Sequence, residues 1–167
     1  MKVLVGYMSQ TGNTKKVAEA IFSQIEADKE IRSLDQIDSL DGWDFAFIGF
    51  PVHGFGPSYN AEVFLEKHSA GKKLALFVTH AAPEGDEELQ KWLEECKKPA
   101  AAGDLVGFFD CQGELAEPVA EMLKQSDSPK IVAYGELRPL TIGQPDEKRL
   151  ERAREFARQI MGKLTAS

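Results

Sequence analysis

The chain has 167 residues, 43% of them hydrophobic and 28% charged; that is enough to bury a sizeable core, and the composition argues against a disordered or fibrous chain. A formal net charge of -7 argues against nucleic acid or an anionic membrane as partner, since both call for clustered Lys and Arg. No apolar run reaches membrane-spanning length, and Met1 to Gly6 leads too quickly into polar residues for a signal peptide. A cytoplasmic protein without membrane insertion is therefore the expectation.

Short apolar runs alternate with amphipathic stretches, without a linker, low-complexity tract or internal repeat. Residues 3–7 read as a buried strand, and Val17, Ala18, Ile21 and Ile25 share one face of a helix predicted over 14–25. A weaker strand falls at 30–33. The run 45–50 is the clearest buried strand, with Pro51 as its expected stop, and 74–79 and 105–111 are two more. Helices are predicted at 60–68, at 86–97, from about Pro118, and at 146–164. In the last, Leu150, Ala153, Ala157, Ile160 and Leu164 form one stripe behind an Asp146 cap. The stretch 129–144 fits no element and is open to two placements, over the site or docked elsewhere.

Near-continuous apolar strands alternating with helices define an α/β class, a doubly wound five-stranded parallel sheet covered on both faces. The expected order is 2-1-3-4-5, in one domain spanning 1–167. Ligands of such sheets bind outside the carboxyl ends of the strands, so chemistry is sought in the loops after strands 1, 3, 4 and 5.

The two cysteines match no CxxC redox or zinc spacing, and no metal site is expected. Cys96 continues the helical series Leu89, Trp92, Leu93, which places it in the core. A phosphatase-type loop at Cys111 needs an Arg soon after the nucleophile, and the next one is Arg138.

After strand 1 comes Ser9-Gln10-Thr11-Gly12-Asn13-Thr14, at the start of a helix. A helix N-terminus offers unpaired N–H groups and a partial positive charge to an anion. One Ser, Thr or Asn suffices as a cap; hydroxyls, an amide and a glycine together exceed that need and point to phosphate. A Walker A loop is absent around Gly71-Lys72-Lys73, and Gly54-Phe55-Gly56-Pro57-Ser58-Tyr59 fails as a dinucleotide GxGxxG.

The six residues resemble the [ST]-x-T-G-N-T phosphate loop of flavodoxins, and the order of elements resembles that family over nearly the whole chain. The resemblance implies FMN as cofactor, with Ser9, Gln10, Thr11, Asn13 and Thr14 as phosphate donors and Gly12 allowing close approach. It implies that Pro51, Val52, His53, Gly54, Phe55 and Gly56 form the second flavin loop. There a peptide preceding a glycine, His53–Gly54 or Phe55–Gly56, would turn its carbonyl toward reduced flavin N5. It implies that Thr79, His80, Ala81 and Ala82 line the flavin through backbone N–H groups. The chain departs from the family in lacking the Trp and Tyr that sandwich the ring at these points; His80 is either a weak substitute or structural. Cys111, Gln112 and Gly113 have two open readings, the buried end of a strand or contact with the pyrimidine edge, and Asp110 is read as a local backbone cap.

Two functions compete. The first is an FMN-binding electron carrier that shuttles between redox protein partners, with its acidic charge steering it toward basic faces. The second is an FMN-dependent reductase of a quinone, tetrapyrrole or similar small conjugated substrate, favoured by the missing sandwich aromatics, with His53 and His80 as proton donors. A flavin-free interaction module is a third reading, opposed by the intact phosphate loop.

Overall fold

A computed structural model describes every residue from Met1 to Ser167. Five parallel strands, β1 (Lys2–Tyr7), β2 (Asp28–Ser33), β3 (Phe45–His53), β5 (Lys73–His80) and β6 (Asp104–Gln112), lie in the order β2-β1-β3-β5-β6. A two-residue strand, β4 (Gly56–Pro57), turns back antiparallel on β3. With β4 set aside, this is the 2-1-3-4-5 order expected from the sequence.

Side chains alternate across the sheet and build a separate core on each face. On one face Leu4, Ala46, Ile48, Phe50, Leu76 and Val78 pack under α2 (Tyr59–His68) and α3 (Glu87–Lys97), through Leu65, Leu89, Leu93 and Cys96. On the other, Val3, Val5, Phe45, Phe47, Ala75 and Phe77 pack under α1 (Asn13–Ser23) and α7 (Glu147–Thr165), through Val17, Ile21, Ala153, Ala157 and Ile160. Each fully buried Phe or Leu contributes about 1.5–3 kcal/mol. The predicted Asp146 cap forms, accepting from Arg149 N–H, and Asp86 caps α3 in the same way, accepting from Glu88 N–H. No helix is long and apolar enough to cross a membrane.

Two expectations change. The strand over 45–50 continues through Pro51 to His53. Peptide groups along a parallel strand point alternately to its two neighbours, and Gly49 C=O faces β1, accepting from Met8 N–H at 2.9 Å. Pro51 faces the same side just beyond the end of β1, where no partner asks for its missing N–H. The stretch 129–144 is also structured, as α5 (Pro129–Glu136) and the single turn α6 (Arg138–Thr141), following α4 (Glu117–Lys124).

Candidate functional site

Because the long strands are parallel, the segments following β1, β3, β5 and β6 meet at one edge. They enclose a crevice of about 120 Å³. Its walls bring together Ser9, Gln10, Thr11, Asn13 and Thr14 from the first loop, Pro51, Val52 and His53 from the second, Thr79, His80 and Ala81 from the third, and Gly113 from the fourth. A larger groove of about 680 Å³ lies on the far side of Ser9 and Gln10, against α2, but reaches neither Thr11 nor Asn13.

At the first loop Ser9 Oγ accepts from Gly12 N–H at 3.1 Å, a turn in which Gly12 takes φ +94°. That conformation suits glycine and little else. The turn leaves the backbone N–H groups of Gln10, Thr11, Asn13 and Thr14 without a protein acceptor. They cluster at the N-terminus of α1, the arrangement that receives a phosphate. Besides Ser9, two side chains of the motif are already engaged: Thr14 Oγ1 is buried against Thr79 Oγ1 at 2.8 Å, and Asn13 Nδ2 donates to Glu114 C=O at 2.9 Å. Backbone amides, with the Thr11 side chain, are thus what the loop offers an anion.

The second loop is a two-residue hairpin turn. His53 pairs with Gly56 across it, and the central residues Gly54 and Phe55 both have positive φ, +57° and +67°, as in a type I′ turn. A phenylalanine there is strained by about 1–2 kcal/mol. Stacking compensates: its ring lies 4.9 Å from Trp92 and 6.5 Å from Tyr134, which are 5.3 Å from each other. The chain therefore has a Trp–Tyr pair beside this loop, on the outer side of the hairpin rather than in the crevice. Rotating the central peptide, Gly54–Phe55, reverses Gly54 C=O and takes Phe55 out of positive φ while the flanking pair stays in place. The peptides His53–Gly54 and Phe55–Gly56, named from the sequence, are held by that pair.

The third and fourth loops brace each other. His80 is buried, with Nδ1 at 3.0 Å from Ala82 C=O and Nε2 at 2.8 Å from an Asp110 carboxylate oxygen. A doubly protonated ring donates to both; a neutral ring donates to one. Asp110 is thus the partner of His80 instead of a backbone cap. Gln112 Nε2 donates to Ala81 C=O at 3.0 Å, so its amide serves the loop's backbone. Glu84 accepts from Gln112 N–H at 3.2 Å, from Arg149 at 2.9 Å and from Arg152 at 3.0 Å. Burial pushes its carboxyl up, but that N–H and the two guanidiniums outweigh it and the net shift is downward.

Several residues named from the sequence stand away from the crevice. Cys111 is fully buried in the core beneath α1 and α7, where burial pushes its thiol up to about 12. Gly54, Phe55 and Gly56 lie out along the hairpin, and Ala82 is buried behind the wall. Conversely, Glu114, Leu115, Ala116 and Val119 form the fourth wall. Their polar-then-apolar run carries no ligand signature, so nothing in the sequence singled them out.

An α/β sheet of this order, with a helix-terminal nest of free amides beside the second and third loops, defines a flavodoxin-like fold and site. The chain matches the flavodoxin domain family over residues 4–158, and it belongs to that family. It is 32% identical over 175 aligned residues to the flavodoxin-like domain-containing protein BilS of Clostridioides difficile (strain CD3), covering 99% of each chain. Oxidised flavodoxin 2 from Bacillus cereus is similar in fold, with a TM-score of 0.63 at 22% identity over 98% of this chain and 99% of its own. A flavoprotein from Lactobacillus acidophilus NCFM, solved in complex with FMN, has a TM-score of 0.52 at 21% identity over 65% of this chain and 92% of its own.

Proposed function

We propose that the chain binds FMN at this crevice and works as an electron carrier of flavodoxin type. The observation that carries the reading is the set of unpaired amides of Gln10, Thr11, Asn13 and Thr14 at the mouth of the crevice. Family membership and the FMN held by the Lactobacillus acidophilus flavoprotein support the same cofactor. Bound FMN supplies one- or two-electron redox chemistry, and the protein supplies binding and environment. The residues divide that work. The amides after β1 hold the phosphate, Pro51 to His53 and Thr79 to Ala81 flank the ring seat, and the Gly54–Phe55 peptide is free to turn a carbonyl acceptor toward it.

The carrier reading rests on the rim. Phe55 on the hairpin and Val119 in the crevice wall are large apolar side chains exposed to solvent. Such residues suit brief contact with a protein partner, and a net charge of -7 steers the chain toward a basic face.

The test compares FMN with riboflavin, which lacks the phosphate, by flavin fluorescence quenching. Two charge-assisted hydrogen bonds at about 1.5–3 kcal/mol each make FMN at least ~100-fold tighter. Thr11→Asp, which sets a carboxylate among those amides, should abolish the preference. Equal affinities for FMN and riboflavin in the unmodified protein would sink the assignment. A stepwise reductive titration of the loaded protein with two separated one-electron midpoints supports the carrier; one two-electron step speaks for a reductase.

A further inference from the structure

The crevice is narrow for a ligand with a fused ring system. A crevice of about 120 Å³ falls well short of the roughly 300–1,000 Å³ that drug-sized ligands occupy. Leu115, Ala116 and Val119 line it on the side of the fourth segment.

The wall is tied to its neighbours α5 and α6 and the turn after them, through Gly143 N–H donating to Glu114 Oε2 at 3.2 Å, Arg138 at 3.6 Å from Glu114, and α4 packed on Gly135, but little to the sheet. Residues 113–116 lie outside helix and strand, and α4, which follows, buries only Ala120. The exposed Val119 and Met122 leave much of the apolar face of α4 in solvent. Glu114 N–H donates to Gln144 C=O and Leu115 N–H to Thr141 Oγ1, both at 2.9 Å; those bonds join the wall to the neighbouring excursion, not to the sheet. Past Gly113, whose N–H donates to His80 C=O at 2.7 Å, one bond reaches the phosphate loop, Asn13 Nδ2 to Glu114 C=O at 2.9 Å. Gly113 permits that approach, since a Cβ there would stand 2.6 Å from Asn13 Nδ2.

We propose that residues 114–124 are a movable cover over the flavin-ring seat, latched by the Asn13 side chain and hinged at Gly113, which opens to admit FMN. The proposal rests on the FMN reading above. It gives Asn13 a positioning role in place of the phosphate-donor role implied by the motif: its backbone N–H faces the anion while its amide holds the cover. Segments with few buried apolar contacts are the ones that open locally.

Stopped-flow mixing of the full chain, freed of flavin, with increasing FMN tests this. The observed association rate should level off at the opening rate of the cover. Asn13→Ala should raise that ceiling about fivefold, the factor that the net contribution of one ordinary hydrogen bond corresponds to. Hydrogen exchange of peptides spanning 114–124, measured without FMN, should rise by a similar factor in Asn13→Ala and in Asn13→Asp, which loses the donor but keeps the shape. A rate that climbs linearly to the highest FMN concentration overturns the cover. An unchanged ceiling with unchanged exchange in folded Asn13 variants overturns the latch. Failure of the unmodified chain to bind FMN at all overturns the functional reading and the cover together.

Discussion

Replacing Phe55 separates two opposing effects at the hairpin turn. Its φ of +67° costs a residue with a Cβ about 1–2 kcal/mol, while its ring, 43% exposed, packs on Trp92 at 4.9 Å. Phe55→Ala keeps the strain and loses the ring. A fully buried Phe→Ala change costs about 3–5 kcal/mol, so this half-buried one should cost ~2 kcal/mol. Phe55→Gly loses the ring as well but relieves the strain, against roughly 0.5–1 kcal/mol of extra backbone entropy. The glycine variant should therefore be the more stable of the two by about 0.5–1 kcal/mol, reversing the order found in ordinary strands and helices. Urea unfolding of the flavin-free variants measures the difference, and in a thermal melt it amounts to a few degrees at most for a chain this long. An alanine variant as stable as the glycine variant, or more so, would refute a strained turn at Phe55. The rotatable Gly54–Phe55 peptide would go with it.

Two further outcomes follow from neighbouring features. Glu84 has a folded pKa below its usual 4.5, so its contribution to stability is present above 4.5 and is lost as pH falls through the lower folded value. The stability gap between the unmodified protein and Glu84→Gln, followed by urea unfolding from pH 7 to pH 3, should thus stay level and then shrink in acid; a gap that widens on acidification contradicts the Gln112–Arg149–Arg152 clamp. A methyl group at Gly49 would overlap the fully buried Phe77 ring. Gly49→Ala should therefore destabilise by at least ~1–3 kcal/mol, the usual cost of overpacking, and an unfolding midpoint equal to that of the unmodified protein would show that β3 and β5 are not so tightly apposed.

What was legible in the sequence is what repeats or what has a local physical cause. The strands could be read because a two-faced sheet demands unbroken apolar runs, as in Phe45 to Phe50, and α7 because its stripe and its Asp146 cap are both local. The end of β3 was misplaced because the tolerance for Pro51 depends on where another strand, β1, stops. The segments α5 and α6 were missed because they are short and interrupted by Pro and Gly, with no periodicity long enough to register. Of the candidate site, the turn from Ser9 to Thr14 was legible for the same reason as the strands, since its glycine and hydroxyls answer to the local geometry of one helix start. The ring end was not. Its fourth wall comes from a segment about a hundred residues away whose side chains are ordinary, and Trp92 and Tyr134 reach Phe55 only through the packing of α3 and α5.

The motif itself has a different division of labour from the one its side chains suggest. Thr14 is turned to Thr79 and Asn13 to Glu114, so two of the residues that look like phosphate donors stitch the first loop to the third and fourth. The donors left free are mainly backbone amides, which every sequence possesses and which the Gly12 turn gathers together. On the proposed reading Gly12 therefore matters more to the anion than the hydroxyls around it, and side-chain chemistry alone locates the loop without describing how it would bind. The stitching side chains and the free amides belong to the same six residues, so the amides and the wall at Glu114 are physically adjacent. The amides proposed for the phosphate therefore adjoin the segment proposed as the cover.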